Sequence, residues 1–136
     1  MLISKEIHDS SIEMGKELTT IVENNDNCHL EMNIEYNGNI WLHTKNYETE
    51  LRYIPFVNNL IVSRVQFQNK RCGCMTKCME KIIEYAEELK VNMITIQSVM
   101  TEEMENWCRK NHFIPKEGAT MLLEGVTVGD YVFEIG

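Results

Sequence analysis

The segment that most constrains the fold is a short basic loop with one glycine, which separates an apolar run from a helical pattern. The apolar run spans residues 60–67, and the loop spans residues 68–76 and contains Gly73. After the loop, apolar residues recur at the three- and four-residue steps of one helix face: Met75, Cys78, Met79, Ile82, Ile83, Ala86 and Leu89. The segment therefore predicts a strand, a turn and a helix, in that order.

This order of elements predicts a binding site for an anion. The first N–H groups of a helix have no partner inside the helix, and the positive end of the helix dipole lies at the same end. Lys70 and Arg71 add positive charge to the loop. An ordinary turn between a strand and a helix would also explain Gly73. Because the turn is basic and leads into a helix, phosphate binding is the preferred interpretation.

The loop and the elements after it resemble the GCN5-related N-acetyltransferase (GNAT) family. In that family a strand leads into a loop of the form Arg/Gln-x-x-Gly-x-Gly/Ala. Here Lys70, Gly73 and Met75 occupy its basic, central and final positions. A β-rich segment at residues 91–97 and a helical pattern from residue 102 to about residue 111 follow in the family's order. The resemblance covers about half of the chain well.

Three residues differ from the family pattern. Ser98 stands where the family often has an Asn at the end of the second strand, and Cys108 stands at the position of a Tyr on the last helix. His112 precedes Phe113 where the family has Gly-Phe, although the spacing of fifteen residues from Ser98 to Phe113 is that of the family. The register of the family is therefore kept while three of its signature residues are replaced.

The resemblance implies transfer of an acetyl group from acetyl-coenzyme A to a small-molecule or protein amine. It implies that backbone groups of Val65 and Phe67 pair with the pantetheine arm, and that loop amides from residue 71 to residue 76 surround the pyrophosphate. The residues that it assigns to acetyl-coenzyme A are Val65, Phe67, Lys70, Arg71, Cys72, Gly73, Cys74, Met75, Thr76 and Ser98. The identity of the amine cannot be read from these residues.

The reaction also needs a proton source for the leaving thiolate and a base for the amine. Cys108 is the candidate proton donor, since it takes the place of the family's tyrosine. The same thiol could instead pack with Met104 and Trp107 on the buried side of the last helix, which is the expected role. Candidates for the base are Glu48, Glu50, Gln66 and His112, and no pairing in the sequence selects one of them.

These replacements leave a second hypothesis open. A relative without catalytic activity would keep the loop and bind coenzyme A or a protein partner, but would not need the Tyr or the Asn. Trp41 and Tyr47 could line an acceptor pocket, although aromatic strand residues are more often core or cross-strand partners.

The remaining segments predict an α/β fold with a mixed, mostly antiparallel central sheet flanked by helices. An apolar helical face at residues 3–22 comes first, with Gly15 as a weak point, and residues 24–27 predict a turn. Strands are predicted at residues 29–36, 40–44, 48–54, 120–124 and 130–135, with a hairpin turn at Asn37-Gly38. The family commonly begins with a strand, which here is missing or supplied by residues 30–36.

Composition limits the class of protein. A chain of 136 residues with 43% hydrophobic residues predicts one domain over residues 1–136. A net charge of −8 argues against a nucleic-acid partner, and no apolar run is long enough to predict a membrane span. The first residues lack the pattern of a secretion signal, so a cytoplasmic location is expected. A homodimer is left open.

The cysteine pattern predicts free thiols and no metal. Cys72, Cys74 and Cys78 lie close together, but their spacing is not that of a zinc site and no second cysteine pair follows. Five cysteines, an odd number, suggest reduced thiols. Because a helix N-terminus lowers the pKa of a thiol, Cys72 and Cys74 are candidates for reactive cysteines.

Overall fold

The structure is a computed structural model, and it describes residues 5–36, 38–56, 58–70 and 72–135. Arg71 and Asn37 lie outside the described residues, as does the start of the predicted first helix. The helices are α1 (Lys5–Asp26), α2 (Cys74–Glu88) and α3 (Glu102–Lys110). The strands are β1 (Glu31–Ile34), β2 (Ile40–His43), β3 (Glu50–Pro55), β4 (Asn59–Gln66), β5 (Met93–Val99), β6 (Ile114–Leu123) and β7 (Val126–Glu134).

The strands form one mixed sheet in the order β1-β2-β3-β4-β5-β7-β6. Only β4 and β5 pair in parallel among the described strands, because α2 connects them as a crossover, and the other neighbours are antiparallel. The predicted α/β class, with a mostly antiparallel sheet and a helix first, is therefore confirmed.

Helices α1 and α2 pack together over one face of the sheet. Their apolar faces share a buried cluster with the sheet, in which Leu18 of α1 and Cys78 of α2 are fully buried. The Tyr85 hydroxyl of α2 donates to Glu17 Oε2 of α1 at 2.6 Å. This hydrogen bond holds the middle of α1 against the last turn of α2.

Gly15 marks the closest approach of α1 to the sheet and does not interrupt the helix. A Cβ at Gly15 would lie 2.8 Å from the Tyr53 hydroxyl oxygen and 2.9 Å from Met32 Cε. The same Tyr53 hydroxyl donates to the Ser11 carbonyl at 2.7 Å. The glycine is therefore explained by packing against a buried tyrosine, and the predicted weak point is not seen.

Helix α3 attaches to β7 through a buried carboxylate. Glu105 Oε2 accepts hydrogen bonds from the Thr127 N–H at 3.0 Å and from the Tyr131 hydroxyl at 3.3 Å. Cys108, one turn further along α3, is fully buried. These contacts hold one side of α3 against the sheet.

Several boundaries differ from the sequence prediction. The predicted turn at residues 24–27 is wrong for its first part, because α1 continues to Asp26 and only Asn27 has a left-handed backbone, with a φ of 49°. Pro55 is the last residue of β3, whereas the sequence predicted that the strand ends at Ile54 and that Pro55 interrupts the chain after it. The last hairpin is longer than predicted, since its two strands are separated only by Glu124 and Gly125.

Among the described residues, no helix is both long and apolar enough to cross a membrane.

Candidate functional site

The loop before α2 ends at Gly73, which has a φ of 79°. Residues with a side chain rarely adopt this left-handed backbone, so glycine suits the position. The Lys77 N–H donates to the Gly73 carbonyl at 3.0 Å, which closes the first turn of the helix. The N–H groups of Cys74, Met75 and Thr76 precede that bond and, as in any helix, lack intrahelical acceptors. The start of α2 therefore offers donors to an anion.

Asp26, at the end of α1, holds the loop in place. Its Oδ2 accepts hydrogen bonds from the Gln68 N–H at 2.7 Å and the Thr49 hydroxyl at 2.6 Å. Its Oδ1 accepts from the Asn69 N–H at 2.9 Å. The Asn25 side chain adds a bond of 3.0 Å to the Asn69 carbonyl. The same Asn25 amide also donates to Asp26 Oδ1 at 2.7 Å. Because four residues donate to one carboxylate, the path of the chain from β4 into the loop is fixed by α1.

The environment of Asp26 favours its ionised form. Burial alone would raise the pKa of this carboxyl group. The hydrogen bonds from Thr49, Gln68, Asn69 and Asn25 outweigh burial, and they hold the pKa below its ordinary value of 3.8. The carboxylate is therefore charged at neutral pH, and each of its oxygens accepts one hydrogen bond from a backbone N–H of the loop.

The loop opens onto a cleft of about 750 Å³. One wall is the end of β4 and the loop, and the opposite wall is α3. The residues that line it are Glu48, Val65, Gln66, Phe67, Gln68, Asn69, Lys70, Gly73, Cys74, Met75, Thr76, Thr101, Glu103, Met104 and Trp107. A cleft of this size with both apolar and polar walls is typical of a site for a cofactor-sized ligand.

Helix α3 is joined to α2 at the edge of this cleft. The Trp107 indole Nε1 donates to the Thr76 hydroxyl at 3.1 Å. The Thr101 hydroxyl accepts from the Met104 N–H at 3.1 Å and so caps the start of α3. The half-buried Met104 and Trp107 face the cleft and also pack against the core. The predicted buried side of α3 is therefore also a wall of the site.

Strands β4 and β5 diverge beside the cleft. Their pairing ends at Val62 and Ile96, although β4 continues to Gln66 and β5 to Val99. Opposite β3, Arg64 pairs with Arg52 and Val62 with Tyr53, so that Ser63 is an extra residue and forms a bulge. A bulge bends its strand, and here it coincides with the point where β4 turns away from β5.

A second cavity of about 370 Å³ lies where the two strands separate. It is lined by Val62, Ser63, Arg64, Val65, Gln66, Ile96, Gln97, Ser98, Val99, Met100, Thr101 and Met104. Val65, Gln66, Thr101 and Met104 line both cavities. The two cavities are therefore adjacent, and a ligand in the larger one could extend into the gap between the strands.

Ser98 lies in this gap, in an irregular part of β5. Its φ is 56°, and its N–H donates to Asp130 Oδ1 on β7 at 3.0 Å. The pairing of β5 with β7 shifts register between Ile96 and Val99, which is where this left-handed residue lies. The exposed Ser98 lines the smaller cavity.

Cys108, the candidate proton donor, is fully buried and is not among the lining residues of either described cavity. Burial raises the pKa of the Cys108 thiol to about 12. An ordinary thiol has a pKa of about 8.5, so a proton would move uphill from Cys108 to a leaving thiolate. This geometry favours packing, and catalysis by Cys108 stays a prediction.

The remaining predicted site residues fall into two groups. Val65, Phe67, Lys70, Gly73, Cys74, Met75 and Thr76 lie together on the larger cavity, and Val65 and Ser98 on the smaller one. Cys72 is exposed in the loop, where its Sγ donates to the Lys70 carbonyl at 3.4 Å. Arg71 is outside the described residues. Of the candidate bases, Glu48 and Gln66 line the larger cavity, while Glu50 and His112 do not.

The cysteines are free thiols. A hydrogen bond between the buried Cys78 and Cys74 lowers the pKa of Cys74 and, together with burial, raises that of Cys78. No group of three or more His, Cys, Asp or Glu residues able to hold a metal ion occurs in the described part of the chain. The absence of a metal stays a prediction.

Sequence reasoning missed three parts of the site: the Asp26 contacts, the α3 wall and the smaller cavity. Asp26 and the loop are 42 residues apart in the chain, so no local pattern connects them. Thr101 followed by an acidic first turn of α3 is a helix-start signal, but it does not show which elements α3 faces. The bulge at Ser63 has no signature in an otherwise regular strand.

Solved acetyltransferases are similar to this chain in fold. An acetyltransferase of the GNAT family from Staphylococcus aureus MU50 matches 98% of this chain, over 96% of its own length, at a TM-score of 0.52 and 15% identity. A protein from Agrobacterium tumefaciens that is assigned to the acetyltransferases matches 99% of this chain over 96% of its own, at a TM-score of 0.53 and 12% identity.

A third solved structure, assigned to the GNAT-family acetyltransferases of Chromobacterium violaceum ATCC 12472, matches 71% of this chain at a TM-score of 0.50 and 13% identity. The match spans 56% of that protein's length. No family model matches the chain, and no curated protein is similar to it in sequence. The structural matches show that the chain has a GNAT-like fold, as its sequence predicted.

Proposed function

We propose that this protein is an N-acetyltransferase that transfers the acetyl group of acetyl-coenzyme A to an amine. The observation that carries this proposal is the cleft of about 750 Å³ between the loop before α2 and α3, at the open edge of β4. The GNAT-like fold supports the same activity. The described residues pack around one sheet, which supports a single domain over the whole chain.

In the proposed complex, the pyrophosphate lies at the N–H groups that begin α2, with Lys70 adding positive charge. The pantetheine arm runs along Val65 and Phe67, where the β4 backbone has no partner from β5. The thioester then enters the smaller cavity between the diverging strands. The acceptor amine approaches from the mouth of that cavity, and coenzyme A leaves as a thiol once its thiolate takes up a proton.

A second candidate function is binding of coenzyme A without catalysis. The observation that favours it is the position of Cys108, which is buried away from both cavities and has a raised pKa. We also propose a cytoplasmic location, since five free cysteines suit a reducing compartment.

Titration calorimetry with acetyl-coenzyme A, followed by a thiol-release assay against a set of amines, tests both functions. We expect stoichiometric binding of acetyl-coenzyme A and release of free thiol with at least one amine. Binding without thiol release would support the second candidate. A folded protein that does not bind acetyl-coenzyme A would contradict both.

Replacing Cys108 by alanine separates catalysis from packing. Because the thiol is fully buried, we expect Cys108→Ala to lower the free energy of unfolding by about 1 kcal/mol or more. Turnover of the folded fraction and acetyl-coenzyme A affinity should stay unchanged. Cys28→Ala, a half-buried cysteine outside both cavities, is the control. A fall in turnover of about a hundredfold, the size expected for the loss of a general acid, would show that Cys108 is catalytic.

A further inference from the structure

Two arginines lie directly opposite each other beside the smaller cavity. Arg52 of β3 and Arg64 of β4 are cross-strand partners, so that their side chains leave the same face of the sheet. Like charges in directly opposite positions destabilise a strand pair. The chain has only 13 lysines and arginines against 21 acidic residues. Two of its few cations therefore lie side by side on this face, and their availability to an anion depends on the partners that each one already has.

Arg64 is held from one side by a buried carboxylate. Its Nε lies 3.2 Å from Glu50 Oε2, and the Glu50 side chain is only 4% exposed. The other oxygen of Glu50 accepts a hydrogen bond of 3.0 Å from the Trp41 indole Nε1. Since each oxygen of Glu50 has a partner, this buried residue positions the Arg64 guanidinium.

The two arginines differ in how many of their N–H donors remain available to a ligand. Arg52 pairs with Glu35 at 2.9 Å, and its guanidinium lies 4.8 Å from the centre of the Trp41 ring. These protein contacts already engage Arg52. The Arg64 side chain is 62% exposed, and the described residues offer no second partner to its two Nη atoms. Arg64 also lines the smaller cavity. It is therefore the arginine with donors available for a ligand.

We propose that Arg64 binds a carboxylate of the acceptor, so that the acceptor is an amino acid or another amine that carries a carboxyl group. The two Nη groups of a guanidinium match the two oxygens of a planar carboxylate. With the carboxylate at Arg64, the amino group of the same molecule lies toward the gap between β4 and β5. The inference rests on the proposed acetyl transfer, because it assigns that gap to the thioester.

The test is acetylation of the standard amino acids, each beside its own α-amide, which has the same amino group without the negative charge. We expect the acids to react with a kcat/KM about tenfold to a hundredfold higher than the amides, the size of a hydrogen-bonded charge pair. Arg64→Gln should remove this preference by raising the KM of the acids, with kcat and acetyl-coenzyme A affinity unchanged. Arg64→Lys, which keeps the charge without the planar fork, should fall between the two.

Two further variants show whether the arrangement around Arg64 matters. Glu50→Gln should raise the KM of the acids part of the way, because it loosens Arg64 without touching the acceptor. Arg109→Gln is the matched control, since Arg109 is half-exposed, pairs with Glu105 at 3.3 Å and lines neither described cavity. It should keep the full preference for acids.

O-phosphoethanolamine is included to compare a phosphate with a carboxylate, and a KM below that of every amino acid would overturn the choice of carboxylate.

Equal rates with acids and amides, or an equal loss of both in Arg64→Gln, would overturn the inference while the proposed transfer stands. If no amine is acetylated, calorimetry of the same acids with coenzyme A present replaces the assay. Binding of acids that Arg64→Gln abolishes would then support the carboxylate site although acetyl transfer has failed. Absence of acid binding to the unaltered protein would overturn the inference.

Discussion

Replacing Gly73 by aspartate is expected to abolish acetyl-coenzyme A binding in a folded protein. The new carboxylate would lie beside the N–H groups that begin α2, where the pyrophosphate is proposed to bind. Two like charges about 4 Å apart near a protein surface repel by about 4 kcal/mol. We therefore expect the Kd for acetyl-coenzyme A to rise by a hundredfold or more, measured by calorimetry at low and moderate salt.

Gly118→Asp is a closely matched control for this experiment. Gly73 and Gly118 have φ values of 79° and 81°, and an added Cβ would meet no atom within 4 Å at either position. The backbone strain of the two substitutions should therefore be the same, and only the site differs. Unchanged affinity in folded Gly73→Asp would contradict the pyrophosphate site, whereas an equal loss in both variants would point to strain rather than charge.

The sequence was sufficient for the elements whose signals are local. The helical spacing from Met75 to Leu89 predicted α2, and the apolar run before the loop predicted β4. Gly73 was singled out as the glycine of a basic loop between a strand and a helix, and the structure gives it a positive φ, a backbone that favours glycine. The order of these elements was also sufficient to predict the GNAT-like fold.

The parts that sequence reasoning missed all depend on contacts between distant segments. Arg64 reads as one polar residue in a strand, and only the pairing of β3 with β4 shows that it lies opposite Arg52. The helical spacing already favoured packing for Cys108, but its position outside both cavities depends on how α3 packs on β7. A run of asparagines around Asp26 resembles a turn, although the helix continues because the carboxylate has partners in the loop.

These loop partners make Asp26 a residue whose replacement should cost considerable stability. Asp26→Asn removes the negative charge and turns one acceptor into a donor, which would face an N–H group of Gln68 or Asn69. Hydrogen bonds to a charged group contribute about 1.5–3 kcal/mol. We therefore expect the free energy of unfolding to fall by about 2–3 kcal/mol at pH 7, measured by urea denaturation. The affinity for acetyl-coenzyme A should fall as well, since the loop loses its anchor.

The same carboxylate predicts how the difference between Asp26→Asn and the unaltered protein depends on pH. The pKa of Asp26 is lower in the folded protein than its ordinary value of 3.8. A lowered pKa stabilises the fold fully above the unfolded value, and this contribution is lost as the pH falls through the folded value. The difference in stability should therefore be constant from about pH 7 to pH 5 and shrink below about pH 4.

Asp9→Asn controls for the loss of one negative charge, because Asp9 is exposed on the same helix. It should change neither the stability nor the affinity for acetyl-coenzyme A. If Asp26→Asn were as stable as the unaltered protein at pH 7, the loop would not depend on α1. If it lost stability but bound acetyl-coenzyme A normally, the hydrogen bonds of Gln68 and Asn69 to Asp26 would stabilise the fold without contributing to acetyl-coenzyme A binding. Loss of both in Asp26→Asn, with loss of neither in Asp9→Asn, is the result that links the end of α1 to the site.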